Sequence, residues 1–285
     1  MVAHGARATR HGHWLLAVVT LVASLIGFVG EGAARASMPV VSCVGHCAHV
    51  SASATWDVVL ANVPRVPRRV GVEEIDGFDA SARDVATLRA LHIVPVCYLS
   101  AGTWESWRPD AARYPRALLG APDAGWAGER WVDIRKFGPT SALYGILAAR
   151  VALCRAKGFG AVDFDNVDGF TNHTGFPLTG AEQAVFNEGL AAMAHRAGLL
   201  VFLKNDVTQI GLLAPYFDGA VSEECHVYDE CALYAPFVRR HEPVLDIEYG
   251  PVRSMCAYDR AHHLFGVVLD RALDGRVYEA CPATR

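Results

Sequence analysis

No single sign of charge, no nucleotide-binding loop and no internal repeat runs through this chain. Its 26 basic and 30 acidic residues are interspersed, so it offers no basic stripe to nucleic acid or to an anionic membrane. Neither Gly-x-Gly-x-x-Gly nor a Walker-type loop occurs, which removes the usual sequence sign of a dinucleotide or P-loop fold. Low-complexity linkers are absent as well. Only one apolar run, 14–29, approaches the ~17 residues of the shortest membrane-spanning helices. It follows Arg7 and Arg10 and precedes Ala34-Arg35-Ala36, the three-part layout of a secretory signal cleaved after Ala36. The alternative is an uncleaved helix that keeps the protein at the cell surface. Cleavage would leave a formal charge of −6 on 249 residues, about the ~250 of one TIM barrel.

What is present is an alternation of short β-rich runs and helical patterns. The runs are 56–61, 70–75, 94–100, 161–166, 199–205, 219–225, 244–249 and 264–270. Helices are expected over 81–91, 141–157 and 182–197, where apolar residues recur at three-to-four spacing. Gly158 and Gly198 stand just past two of them, where a left-handed terminator favours glycine. Strands separated by helices must pair in parallel. Eight of them predict an α/β fold, a (β/α)8 TIM barrel, with an open doubly wound sheet as the alternative. The expected organisation is a signal peptide at 1–36, an N-terminal segment at 37–54 and a single barrel domain at 55–285. The segment 101–140 is too long for an ordinary connection and is expected to cover the barrel or serve its function.

Active sites of such barrels lie at the carboxyl ends of the strands, and acids cluster there in this chain. Along Val162-Asp163-Phe164-Asp165, alternation turns Asp163 and Asp165 inward, with Asp165 nearer the rim. By the same rule only one of Glu223 and Glu224 can face the interior, and Glu223 is the better candidate. Glycosidic cleavage needs one carboxyl to protonate the leaving oxygen and another to attack or to activate water. Asp165 and Glu223 are therefore the expected catalytic pair. Asp76, Tyr98, Trp104, Trp107, Asp168, Lys204, Asn205, Asp206, Glu248 and Tyr249 are the expected substrate-binding residues near the same rim. An acid taken singly is as readily a helix cap; it is the convergence on one rim that favours chemistry.

Longer words in the sequence point the same way. Glu74-Ile75-Asp76-Gly77-Phe78-Asp79, Cys97-Tyr98-Leu99-Ser100-Ala101-Gly102-Thr103-Trp104-Glu105, Trp107-Arg108-Pro109-Asp110 and Trp131-Val132-Asp133-Ile134-Arg135 come first. Asp165-Asn166-Val167-Asp168-Gly169-Phe170, Leu203-Lys204-Asn205-Asp206, Glu223-Glu224-Cys225 and Tyr228-Asp229-Glu230-Cys231 follow. Over roughly 73–249 the chain resembles glycoside hydrolase family 114, the endo-α-1,4-polygalactosaminidase family of TIM barrels. The resemblance implies an endo-acting hydrolase of galactosamine-rich polysaccharide. It also implies that Asp165 and Glu223 are the catalytic pair, with Asp165 as nucleophile and Glu223 as acid/base by analogy with related barrels. Three positions depart from the family pattern: the first strand Trp56-Asp57-Val58-Val59-Leu60, Asp163 and Ser222. All three are expected near the substrate floor.

Two rival readings stay open. A carbohydrate-binding barrel without catalysis would keep the fold and lose the reaction. A metal-dependent hydrolase or deacetylase would use Cys43, His46, Cys47 and His49, but that patch precedes the first strand and its cysteines favour disulfides in an exported chain. No cofactor and no metal is expected, and a polysaccharide is the expected partner. Of the eight cysteines, Cys225 and Cys231 form the best local pair. Cys97 and Cys154 are expected as buried thiols, and Cys43, Cys47 and Cys281 as ties between the chain ends.

Overall fold

The structure is a computed structural model and describes residues 39–61, 66–250 and 254–281; the expected signal peptide lies outside the described residues. The elements in chain order are β1 (Trp56–Val59), β2 (Val72–Asp76), α1 (Ala82–Ala90), β3 (Val94–Ser100), β4 (Thr103–Glu105), β5 (Leu119–Pro122), β6 (Glu129–Val132) and α2 (Ala142–Lys157). They continue with β7 (Ala161–Asp165), α3 (Gly180–Arg196), β8 (Leu200–Lys204), α4 (Ile210–Leu213), β9 (Gly219–Glu223), α5 (Ala235–Arg239), β10 (Val244–Glu248), α6 (Met255–His262), β11 (Phe265–Val268) and β12 (Glu279–Ala280).

Each of the eight expected runs contains a strand, and these strands pair in parallel in the order β1-β2-β3-β7-β8-β9-β10-β11. The sheet curls into the (β/α)8 architecture. Its inner face carries Trp56, Val58, Val72, Val96, Ala161, Leu200, Phe202, Val221, Leu245, Ile247 and Val267, which form one buried cluster. Intervening residues such as Ile75, Leu99, Phe164, Leu203 and Ala220 point outward into a second core shared with the helices. Between β1 and β11 there is no hydrogen-bonded ladder. The seam is bridged instead by the Trp56 indole, which donates to the Phe265 carbonyl at 2.7 Å, and by the Tyr278 hydroxyl, which donates to the Trp56 carbonyl at 3.1 Å. β12 pairs antiparallel with β11 and covers the exposed edge.

The helices begin and end where local chemistry requires. Ser81 with Asp84, and Thr179 with Glu182, form reciprocal capping boxes, while Ser141 caps α2 through its side chain. Gly158 ends α2 with φ +95°, a conformation that costs glycine little.

Two features differ from expectation. The 101–140 segment contains its own three-stranded antiparallel sheet, β4-β6-β5. The cysteines form four disulfides: Cys43–Cys47, Cys97–Cys154, Cys225–Cys231 and Cys256–Cys281. Cys225–Cys231 agrees with the sequence reading. Cys97 and Cys154 are bonded rather than free, because outward-facing Cys97 on β3 meets Cys154 on the buried face of α2. Cys43 and Cys47 pair with each other, so they neither tie the chain ends nor offer thiolates to a metal.

No helix is described between β1 and β2, and two acids lie buried on the outer side of that pair. Asp57 binds the Arg68 guanidinium at 2.7 Å, while among the described residues neither Glu73 oxygen has a hydrogen-bond partner. Burial, reinforced by the Asp57 charge, raises the Glu73 carboxyl to about 7. A carboxyl raised on folding stabilises the protein below its unfolded value and loses that contribution as pH rises through the folded one. The wild type should therefore lose on the order of 2–3 kcal/mol between pH 4.5 and 8 from this group, and Glu73→Gln should flatten the decline in urea titrations across that range. Replacing Cys97 and Cys154 together by alanine should cost about 2–4 kcal/mol in the same assay. Their bridge spans 57 residues, whereas Cys43–Cys47 spans 4 and its removal should cost less.

Candidate active site

Moving up the inner face of the sheet, the side chains change from apolar to charged. Above the layer of Val72, Val96, Ala161 and Leu200 stand Glu74 and Asp163, and above those stand Asp76, Tyr98, Asp165, Lys204 and Glu223 at the carboxyl ends of their strands. Alternation places them, since Glu74 shares a face with Val72, and Lys204 with Phe202. Asp76, Tyr98, Asp165, Lys204 and Glu223 floor a cleft of about 520 Å³, with Glu74 and Asp163 buried beneath.

Lys204 is the cation that reaches both Asp165 and Glu223, and it is 3% exposed. Its ammonium lies 3.2 Å from Glu223 Oε1, 3.7 Å from Asp165 Oδ1 and 3.8 Å from Asp163 Oδ2. Burial opposes the charge on Lys204, but Asp165, Glu223, Asp163 and Glu74 outweigh it and hold the amine well above its ordinary value. The deeper acids shift in the same direction, which for a carboxyl favours the neutral form. Burial raises Glu74 to about 7 and Asp163 well above the usual carboxylate range, and Lys204 only partly offsets the effect.

Each of the two upper carboxylates also receives a phenol. The Tyr98 hydroxyl donates to Asp165 Oδ2 at 2.7 Å, and the Tyr249 hydroxyl donates to Glu223 Oε1 at 2.9 Å. Burial and the adjacent carboxylate push both phenols upward, so they remain donors. Glu223 is fixed from behind as well, because its backbone N–H donates to Asn205 Oδ1 at 2.9 Å. Asn205 and Asp206 are consecutive non-glycine residues in the left-handed region, at φ 48° and 47°. The Asn187 amide holds Asp206 Oδ2 at 2.8 Å from beneath.

The structure brings Asp76, Tyr98, Trp107, Asp165, Asp168, Lys204, Asn205, Glu223 and Tyr249 into the cleft wall. Asp76 is there as a tie. Its carboxylate takes both Arg108 guanidinium nitrogens at 2.9 and 2.6 Å and the N–H groups of Phe78 and Asp79. Three expected residues lie elsewhere. Trp104 turns toward the outer core and donates its indole N–H to Ala111. Asp206 is buried against Asn187, and burial raises it to about 8. Glu248 shares the outer face of β10 with Asp246, because Leu245 and Ile247 take the inner one, and it accepts the His226 N–H at 2.8 Å. Asp57 and Ser222 also face outward, away from the substrate floor, while Asp163 faces inward and is buried beneath it. Glu224 turns away at φ 60° and pairs with Arg271 at 2.8 Å.

Glu105, Arg108, Asp123, Trp126, Glu129 and Arg271 also line the cleft, and Glu74 lies buried beneath it; none of these is among the expected site residues. Strand alternation would have found Glu74, which sits two residues before Asp76. The others belong to the insertion or the last loops, whose folding no periodicity announces. Burial raises Glu129 to about 7 and, with help from Asp165, Asp168 to about 6. Among the described residues the groups spaced for a metal both require the Cys225 sulfur, which is bonded to Cys231 and lies outside the cleft.

A barrel cleft of this kind, with paired carboxylates on a buried ammonium and aromatic and hydroxyl groups on its walls, holds the parts that glycosidic cleavage needs, and the family match makes the chain a glycoside hydrolase acting on O-glycosyl bonds. Residues 43–284 match the model of glycoside-hydrolase family GH114, and the chain belongs to that family. It is similar to Ega3 of Aspergillus fumigatus, solved in complex with galactosamine. Identity is 27%, the TM-score is 0.77, and the match covers 84% of this chain and 99% of that one. The glycoside hydrolase domain of PelA from Pseudomonas aeruginosa shares the fold at 16% identity and TM-score 0.60, over 79% of this chain and 98% of that one. No curated protein sequence matches.

Because one ammonium serves both upper carboxylates, Lys204→Met should lower kcat by roughly 10²–10³-fold, the scale of losing one preorganised donor at a reacting centre. Steady-state kinetics with a circular-dichroism check of folding would measure it. A kcat within threefold of wild type in a folded variant would contradict the role given to Lys204.

Proposed function

We propose that this protein is an exported endo-hydrolase of α-1,4-linked galactosamine-rich polysaccharide, and that Asp165 and Glu223 are its catalytic pair. The observation that carries the reading is the shared ammonium. Contacts of 3.7 Å to Asp165 and 3.2 Å to Glu223 keep those two oxygens within about 7 Å of each other, short of most of the ~6.5–9.5 Å range of inverting enzymes and open to the ~5–5.5 Å of retaining ones.

The contacts also favour one division of labour. Both oxygens of Asp165 are held, one by Tyr98 and one by Lys204, which suits an anion that attacks the anomeric carbon. Contacts to Glu223 fall on Oε1, leaving Oε2 to carry the proton that passes to the leaving oxygen. The glycosyl–Asp165 ester formed is then hydrolysed by a water whose proton returns to Glu223.

The substrate class follows from charge. Acids outnumber bases in the cleft lining, with Asp79 and Asp123 among them, a wall that attracts a polymer bearing ammonium groups. Ega3, similar over most of this chain, binds galactosamine. Four disulfides suit an oxidising compartment, and among the described residues no helix is long and apolar enough to cross a membrane.

Residues 37–285 incubated with α-1,4-galactosaminan, deacetylated or partly acetylated, should release oligosaccharides detectable by mass spectrometry. Asp165→Asn and Glu223→Gln should each lower the rate by at least about 10³-fold. Binding without release by the wild type would favour the non-catalytic barrel, and equal rates in all three proteins would move the chemistry to other residues.

A further inference from the structure

The insertion carries two exposed indoles that the chemistry above does not use. Trp107 and Trp126 are 53% and 59% exposed, and both line the same cleft. Single exposed apolar side chains are ordinary, whereas two tryptophans in one groove mark a surface that awaits a partner. Local geometry backs the Trp107 ring and orders the turn that carries Trp126. Gly128 has φ +95° and packs behind Trp107, so that a Cβ there would lie 3.0 Å from the indole Cζ3 and 2.8 Å from Ser106 Oγ. The Ser106 N–H donates to the Gly128 carbonyl at 3.0 Å and locks the two segments together. Trp126 lies in the turn between β5 and β6, which is closed by the Asp123 N–H on the Glu129 carbonyl and the Glu129 N–H on the Trp126 carbonyl, both at 3.1 Å. Asp123 in that turn also lines the cleft.

A rigid indole offers a large apolar face at low entropic cost, together with attraction for a cation. The apolar face of a pyranose suits the first property, and an amino substituent suits the second and the neighbouring carboxylate. Asp165 and Glu223 stand on barrel strands, while Trp107 and Trp126 belong to the separate insertion, and the cleft has room for more than one ring.

We propose that Trp107, Trp126 and Asp123 form an outlying subsite that grips an amino-sugar ring of the polymer away from the bond being cut. The inference rests on the polymer-hydrolase reading. Its energetic role is capture of the chain: a contact made equally in the ground state and the transition state lowers KM and leaves kcat unchanged.

The test measures kcat and KM for deacetylated α-1,4-galactosamine oligosaccharides of increasing length in wild type, Trp107→Ala and Trp126→Ala, with Trp107→Phe and Trp126→Phe as conservative controls. The alanine variants should raise KM about fivefold to thirtyfold on long chains, less on short ones, and the phenylalanine variants should recover most of the loss. Asp123→Asn should weaken deacetylated chains more than acetylated ones. A loss that is equal at every chain length, or that falls on kcat, would mean that the indoles only hold the insertion in place; an unchanged KM would equally overturn the subsite. If the wild type cleaves no galactosaminan, the hydrolase reading fails on its own account. The subsite is then read by calorimetry from the affinity of the same oligosaccharides for Asp165→Asn with and without the tryptophans, and equal affinity would overturn it.

Discussion

One buried ammonium organises this molecule. Lys204 sits inside the barrel with four carboxyl groups around it, and its charge survives burial only because they are there. The dependence is mutual: without the lysine those acids would face one another in a medium that punishes uncompensated charge. Glu74 and Asp163 ease the conflict by favouring their protonated forms, which leaves the ammonium to Asp165 and Glu223 above them. The vertical gradient of the barrel interior, apolar at one end and ionic at the other, thus converts a packed core into a reactive floor without a change of fold.

The walls are joined to that floor by a second set of ion pairs. Arg108 bridges Asp76 on β2 and Glu105 on β4, and Arg150 from α2 holds Asp110 and the Ser100 carbonyl. Both guanidiniums are buried, so each contact couples the insertion to the barrel through groups that could not be left unpaired cheaply. The three-stranded sheet is therefore part of the cleft's rigid frame, and what it carries on its rim is held in register with the strands below.

Much of this was legible in the residues because strands obey a period of two. The eight runs, the inward direction of Asp165 and Glu223, and the outward turn of Glu224 all follow from alternation. The same rule, carried one strand further, would have turned Glu248 outward, because Leu245 and Ile247 claim the inner face of β10; proximity to a strand end was the weaker criterion. Trp104 and Asp206 misled for a related reason. Each sits beside a cleft residue in sequence, and in an extended or left-handed segment adjacent side chains diverge. The pairing of Cys97 with Cys154 joins a strand to a helix 57 residues later, a contact that depends on how α2 packs, which local pattern does not encode. The sheet within the insertion was hidden likewise, since its strands are only three and four residues long.

The left-handed pair Asn205–Asp206 has a meaning beyond geometry. Each such conformation costs a non-glycine residue some energy, least for asparagine and aspartate, and glycine would adopt it more readily. Yet Asn205 uses its side chain to grip the backbone of Glu223, and Asp206 uses its own to engage Asn187. Glycine at either position would relax the backbone and delete one of these contacts, so the strain of this bend is what keeps the Glu223 backbone anchored.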